Sequence, residues 1–143
     1  MKGTLYFTLN LFLLLRLSLA DDYPNDSSTT YFLIPGGSRT GVSEVSADED
    51  WFKTYLLAGR TYTISGSAGF DTELTMYRAG PPVSQVAYDD DSGEGLNPRI
   101  VYTPSASETF FAVYAPHSSG TGSYYIEISD TTSSCAAICA SKF

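Results

Sequence analysis

Short alternating runs dominate the chain. In Tyr62-Thr63-Ile64, and again in Leu74-Thr75-Met76, two apolar residues flank a threonine. That period of two sets one face of a strand on a core and the other in water. Runs rich in Val, Ile, Thr, Tyr and Phe recur at roughly ten-residue spacing, each bounded by Gly, Pro, Asn or Ser, which is the signature of an all-β sandwich or barrel. The pattern predicts eight strands: Thr40 to Val45, Trp51 to Leu57, Thr61 to Ser65, Glu73 to Tyr77, Val83 to Tyr88, Arg99 to Thr103, Thr109 to Tyr114 and Ser123 to Ile128. The turns fall at Ala58-Gly59, Ser67-Ala68-Gly69, Ala79 to Pro82, Asp91 to Pro98, Pro104 to Ser107 and Ser118 to Gly122. No helix of normal length is predicted.

The N-terminus reads differently. Lys2 precedes an apolar block from Leu9 to Leu19, and Ser18-Leu19-Ala20 places small residues at positions −3 and −1 of a cleavage site, so residues 1–20 read as a signal peptide. The block is about eleven residues long and Arg16 interrupts it, whereas a membrane span needs roughly twenty apolar residues. The expectation is a secreted, extracellular chain with no membrane attachment after cleavage. Residues 21–38 then form an acidic extended leader too rich in turn formers to start a helix or strand. The strands occupy residues 39–130, and 131–143 is a Ser-, Ala- and Cys-rich tail.

Charge narrows the choice of partner. The chain carries 8 Lys plus Arg against 16 Asp plus Glu, a net charge of −8. Removing Lys2 and Arg16 with the signal peptide takes it to about −10. Nucleic-acid binding needs a basic face that displaces counterions, and the remaining cations are scattered, so that function is excluded. Strong acidity fits cation binding or plain solubility. About 120 residues make one domain with a self-sufficient core, expected as a monomer. The two cysteines, Cys135 and Cys139, are expected as a local disulfide in an exported chain. Closing so short a loop contributes about 2 kcal/mol, so the fold does not depend on it.

Several motifs follow one another in a specific order. Tyr23-Pro24-Asn25-Asp26-Ser27 comes first, with Asp21 and Asp22 just before it. Asp48-Glu49-Asp50-Trp51-Phe52-Lys53 and Leu57-Ala58-Gly59-Arg60-Thr61-Tyr62-Thr63-Ile64 follow, then Asp71-Thr72-Glu73-Leu74, the acidic glycine loop from Asp89 to Ile100, and Gly122-Ser123-Tyr124-Tyr125. This order, over about 105 residues, resembles the bacterial pre-peptidase C-terminal domain family. The resemblance implies an antiparallel, jelly-roll-like β-sandwich of about eight strands over 39–130. In related collagenase modules such a sandwich binds calcium and collagen. Family members usually follow a catalytic domain, and no peptidase domain stands within these 143 residues.

Calcium takes six to eight oxygen ligands, which loops dense in Asp, Asn and backbone carbonyl supply. Asp22, Asn25, Asp26, Asp48 and Asp50 resemble the ligand-bearing leader and strand entry of the calcium-binding modules. Asp71, Asp89, Asp90, Asp91 and Glu94 form a second candidate set. The alternative is that these acids are solvated turn residues, which Asp and Asn favour for their own hydrogen bonds. An EF-hand is excluded: counting from Asp89, the fifth position is Gly93 and the twelfth Ile100, where that loop needs an oxygen ligand and a bidentate Glu. Asn25-Asp26-Ser27 is also an N-glycosylation sequon.

Tyrosine is the second candidate chemistry, because it offers large contact area with a polar tip. Tyr114 and Tyr124 lie on late strands where the collagen-binding relatives carry exposed tyrosines, with Tyr102 and Tyr125 as lesser candidates. The competing reading is that tyrosine simply suits strands and half-buried faces. Trp51 and Phe52 are assigned mostly to the core, since neighbours on a strand face opposite ways. Catalysis finds little support: His117 sits in a turn, and no Gly-x-Ser-x-Gly elbow accompanies it. The expected function is a secreted, non-enzymatic, calcium-stabilised module that binds a collagen-like extracellular protein or a polysaccharide. The alternatives are an auxiliary domain that assists secretion or regulation of a separate secreted peptidase, and a small secreted hydrolase.

Overall fold

Alternation builds the strands. Along Asp50–Leu56 the residues Asp50, Phe52, Thr54 and Leu56 are buried, while Trp51, Lys53 and Tyr55 face outward. The same rhythm along Gly122–Asp130 sends Tyr124, Ile126 and Ile128 inward and Tyr125, Glu127 and Ser129 out. The computed structural model describes residues 20–132. Most of the expected signal peptide and of the expected tail, including Cys135 and Cys139, lies outside the described residues.

Eight strands form: β1 (Gly37–Ser43), β2 (Asp50–Leu56), β3 (Tyr62–Ala68), β4 (Thr72–Arg78), β5 (Ser84–Asp89), β6 (Arg99–Tyr102), β7 (Glu108–Pro116) and β8 (Gly122–Asp130). Each predicted run is found, with ends displaced by up to three residues. They pair as two four-stranded sheets, β1-β8-β3-β6 and β2-β7-β4-β5, antiparallel throughout. No helix joins them among the described residues. The architecture is the expected all-β sandwich.

The core between the sheets holds Phe52, Leu56, Ile64, Leu74, Met76, Phe110 and Ile126, each fully buried. Fully burying side chains of this size contributes about 1.5–3 kcal/mol apiece. β7 is buried on both faces. Its outward Phe111 is covered by Trp51, with ring centroids 5.6 Å apart, and by the Lys53 ammonium at 5.7 Å. Trp51 in turn stacks on Tyr77 at 5.2 Å. Of the Trp51-Phe52 pair, phenylalanine therefore enters the core and tryptophan caps an outer aromatic cluster.

The leader is docked on the sandwich. Leu33 is fully buried in the core, and its N–H donates to the Lys53 carbonyl at 2.9 Å. The Lys53 N–H donates to the Tyr31 carbonyl at 2.8 Å, and the Trp51 N–H to the Pro24 carbonyl at 3.2 Å. The segment thus runs parallel to β2, with Phe32 opposite Lys53, and covers the outer edge of that strand. This contact carries residues 21 and 22 to the start of β2.

Candidate functional site

Tyr23 anchors the beginning of the leader. Its hydroxyl donates to the Thr40 carbonyl at 2.8 Å, and its ring meets Phe52 edge-on at 4.7 Å and Tyr31 at 4.8 Å. One residue earlier, Asp22 accepts the Val42 N–H of β1 at 3.1 Å. After β1 the chain turns, and Asp48 accepts the Glu44 N–H at 3.3 Å. Asp50 opens β2 at the bottom of the cluster, where it accepts the Tyr124 hydroxyl at 2.5 Å.

These elements bring five carboxylates together. Asp21, Asp48 and Asp50 each offer an oxygen within 4.8 Å of the others, and so do Asp21, Asp22 and Glu44. Asp21 belongs to both groups. Among the described residues none of the five is in an ion pair. Asp22 Oδ1, Glu44 Oε2, Asp50 Oδ1 and the neighbouring Ser43 Oγ are buried with no hydrogen-bond partner. Leaving a buried acceptor unsatisfied costs about 1–3 kcal/mol, and more when it is charged.

The acidities record that cost. Burial pushes the Asp50 carboxyl up to about 8, against the opposing hydrogen bond from Tyr124, with Asp48 and Asp22 adding like charge. Burial, with Glu44 beside it, pushes Asp48 up to about 6. Asp22 is raised by burial as well, and the Val42 N–H only partly offsets this. Removing carboxylates from water and crowding them disfavours the charged form on both counts. A hard divalent cation reverses both penalties, since its ligands are oxygens of this kind.

The structure brings Asp22, Asp48 and Asp50 of the first predicted set together and leaves Asp26 and Asn25 out of the convergent groups. Asn25 is exposed. Asp26 accepts the Ser28 N–H at 2.7 Å in a turn, and its bonds to Ser28 lower its pKa. Asp21 and Glu44 are the members that sequence reasoning missed. Glu44 precedes Asp48 by four residues across a predicted strand end, a spacing that places two acids on one turn.

The second predicted set does not converge; its members serve separate purposes. Asp89 accepts from the Ser92 N–H and hydroxyl and, at 2.7 Å, from the Arg99 N–H. Burial works against ionisation there, but the bonds from Ser92 and Arg99 outweigh it and lower the pKa. Asp90 lies 3.8 Å from His117 Nδ1, and Asp71 supplies a carbonyl to the His117 N–H. Asp91 and Glu94 are exposed. Of the loop's acids it is Asp89 that fastens it.

Two tyrosines stand where the sequence reading did not put them. Tyr114 and Tyr124, expected on an exposed binding face, are buried, with 1% and 3% of their surface accessible. Glycines make room for them. A Cβ at Gly66 of β3 would run into the Tyr114 ring, and one at Gly41 of β1 would run into Tyr124. Tyr114 satisfies its hydroxyl on Thr72 Oγ1 at 2.8 Å, and the two rings lie 4.4 Å apart. Tyr102 is half-buried, edge-on to Phe110 at 5.4 Å. Tyr125 alone of the four is well exposed, at 39%.

His117 offers no nucleophile-activating geometry. Its Nδ1 lies 3.0 Å from Glu73 Oε2 and 3.4 Å from the Tyr88 hydroxyl, and the hydrogen bond with Glu73 raises its pKa. Among the described residues no serine hydroxyl is hydrogen-bonded to it.

No protein-family model matches the chain, and no curated protein matches it in sequence. Solved structures do match in fold. The pre-peptidase C-terminal domain of a collagenase from Bacillus anthracis superposes with a TM-score of 0.55 at 12% identity, covering 68% of this chain and 92% of that one. A periplasmic inhibitor of g-type lysozyme from Aeromonas hydrophila gives 0.53, also at 12%, covering 65% and 83%. The chain has the fold of a pre-peptidase C-terminal domain, as the order of its motifs implied.

Proposed function

We propose that this chain, built on the fold of a pre-peptidase C-terminal domain, is an exported, non-catalytic module that binds an extracellular protein or polysaccharide. In this reading calcium held by Asp21, Asp22, Glu44, Asp48 and Asp50 locks its leader to the sandwich. The observation that carries it is the set of buried carboxylate oxygens without partners, Asp22 Oδ1, Glu44 Oε2 and Asp50 Oδ1, gathered in one place. Buried charges are ordinarily paired or ligate a metal.

Each side chain has a role. Asp21 and Asp22 arrive on the leader, Glu44 and Asp48 on the turn after β1, and Asp50 at the head of β2. Bound calcium would supply the positive charge that offsets their mutual repulsion, so holding the metal and docking the leader are one event. The Tyr124 hydroxyl holds one oxygen of Asp50 and leaves the other for the ion. A non-catalytic role is supported by the setting of His117, which is committed to Glu73 and Tyr88. Two solved structures similar in fold, a collagenase pre-peptidase C-terminal domain and a lysozyme inhibitor, fit a module that acts by contact.

Thermal unfolding with calcium and with chelator tests the metal. Calcium at a hundredfold excess over Kd is expected to add about 2.7 kcal/mol. Asp48→Asn and Asp50→Asn should lose that response while melting higher than the parent in chelator above pH 8, where both carboxyls are charged and each substitution removes a crowded charge. An unchanged melting temperature at millimolar calcium, or a full response in both variants, defeats the reading.

A further inference from the structure

On the outer face of the β1-β8-β3-β6 sheet a groove of about 580 Å³ opens between β3, β8 and the loop that joins β5 to β6. We propose that this groove is a binding site for a neutral saccharide, with Tyr125 as the stacking platform and Arg99, Glu127 and Glu94 as its polar contacts. This rests on the binding-module reading and names its ligand class.

Both walls are held before any ligand arrives. On the strand side, Glu127 accepts the Tyr125 hydroxyl at 3.0 Å on one oxygen and the Ser65 hydroxyl at 3.3 Å on the other. The aromatic ring is thereby tied to its own strand and to β3. On the loop side, Asn97 accepts the Ala68 N–H at 2.8 Å and donates to the Glu94 carbonyl at 2.7 Å. The Gly93 N–H reaches the Asn97 carbonyl at 2.8 Å, and the Gly66 N–H reaches Pro98 at 3.1 Å. A Cβ at Gly93 would strike the Asn97 carbonyl, so the wall needs glycine there. Ordering that precedes binding lowers its entropic cost.

The lining chooses among ligands. Glu94 and Glu127 stand against a single cation, Arg99, which makes no salt bridge among the described residues. On a chain of net charge −8 that balance repels sulfated or phosphorylated ligands. A protein partner is expected to bring a large side chain into a desolvated apolar socket. Here Ser65, Gly66, Ser67, Ser92 and Gly93 line the groove and leave no such socket. A neutral sugar presents hydroxyls that both donate and accept, which suits guanidinium, carboxylates and serines side by side, together with an apolar C–H face for an aromatic ring. The volume falls in the range of small-ligand clefts.

Affinity electrophoresis of the whole chain in calcium, through gels containing laminarin, xyloglucan or galactomannan, tests the proposal. Gelatin and heparin gels serve as protein and polyanion comparators. Retardation is expected in at least one neutral polysaccharide, weakened about tenfold or more in Tyr125→Ala and about tenfold in Arg99→Met. Both variants should keep the calcium-dependent melting of the parent. Neutral-gel retardation that survives Tyr125→Ala, or migration unchanged in every neutral gel, overturns the saccharide proposal. Retardation by gelatin alone overturns it too and leaves the module reading standing, whereas loss of the calcium response in the parent strikes only the metal clamp.

Discussion

The Tyr124 hydroxyl donates to Asp50 Oδ2 across the sandwich, a buried 2.5 Å bond that ties β8 of one sheet to β2 of the other. The acidic cluster is therefore seated on the core. Burial and the adjacent Asp50 also push the Tyr124 phenol pKa upward, so the phenol stays un-ionised at any physiological pH. Tyr124→Phe would leave Asp50 with neither oxygen partnered. We expect a loss of about 1–3 kcal/mol in chelator, read from urea denaturation. A loss under a few tenths would mean that the bond contributes nothing net.

Metal-free protein should weaken as pH rises. Asp50 and Asp48 are raised above the ordinary carboxylate value in the folded state, to about 8 and about 6. Between pH 4 and those values the native chain holds more protons than the unfolded one, so unfolding free energy falls with pH, by at most about 1.4 kcal/mol per unit for each proton. His117, whose pKa is raised by Glu73, adds a loss of the same sign above neutrality. Melting temperature in chelator is expected to drop between pH 5 and 8, and calcium should flatten the drop. A profile rising over that window in chelator contradicts the assignment.

Two glycines separate packing from flexibility. Alanine at Gly66 would press a methyl into the Tyr114 ring, whereas nothing lies within 4 Å of a Cβ at Gly69. Overfilling a packed site costs about 1–3 kcal/mol. Gly66→Ala should destabilise by that amount while Gly69→Ala stays within about 0.5 kcal/mol of the parent, as open surface positions do. Equal effects at both sites would show that Tyr114 yields easily.

The leader belongs to the core through Leu33, which is fully buried. Leu33→Ala should cost about 2–5 kcal/mol, a penalty no loose extension would show. Trp51, the only tryptophan, donates its backbone N–H to the Pro24 carbonyl and its indole N–H to Glu49 at 3.0 Å. Its emission should therefore shift to longer wavelength in that variant.

Much of the fold was legible because strand alternation is local. Tyr62, Ile64, Leu74 and Met76 were readable from spacing alone, and all four are buried. The acidic site was half legible. Asp48 and Asp50 sit two apart in sequence, but Glu44 joins them only because β1 ends at Ser43 and the chain turns, and Asp21 only because Tyr23 and Leu33 dock the leader. The tyrosines misled for a different reason. Tyr114 and Tyr124 fit inside because glycines face them, Gly66 on β3 of the opposite sheet and Gly41 on the neighbouring β1. Such a gap is a property of another strand, paired or facing, and a strand glycine marking close approach was the signal available to find it.

The parallel strip formed by residues 31 to 33 does for β2 what a neighbouring strand would do, and it is supplied by the same chain. An open strand border is a template for other chains. Detaching that strip would expose the Lys53 amide and carbonyl to the equivalent strip of another molecule, whose exchange restores every bond. Chelated, concentrated protein would then be expected to pass into swapped dimers, and in the reading proposed above a calcium that locks the leader would also guard the monomer.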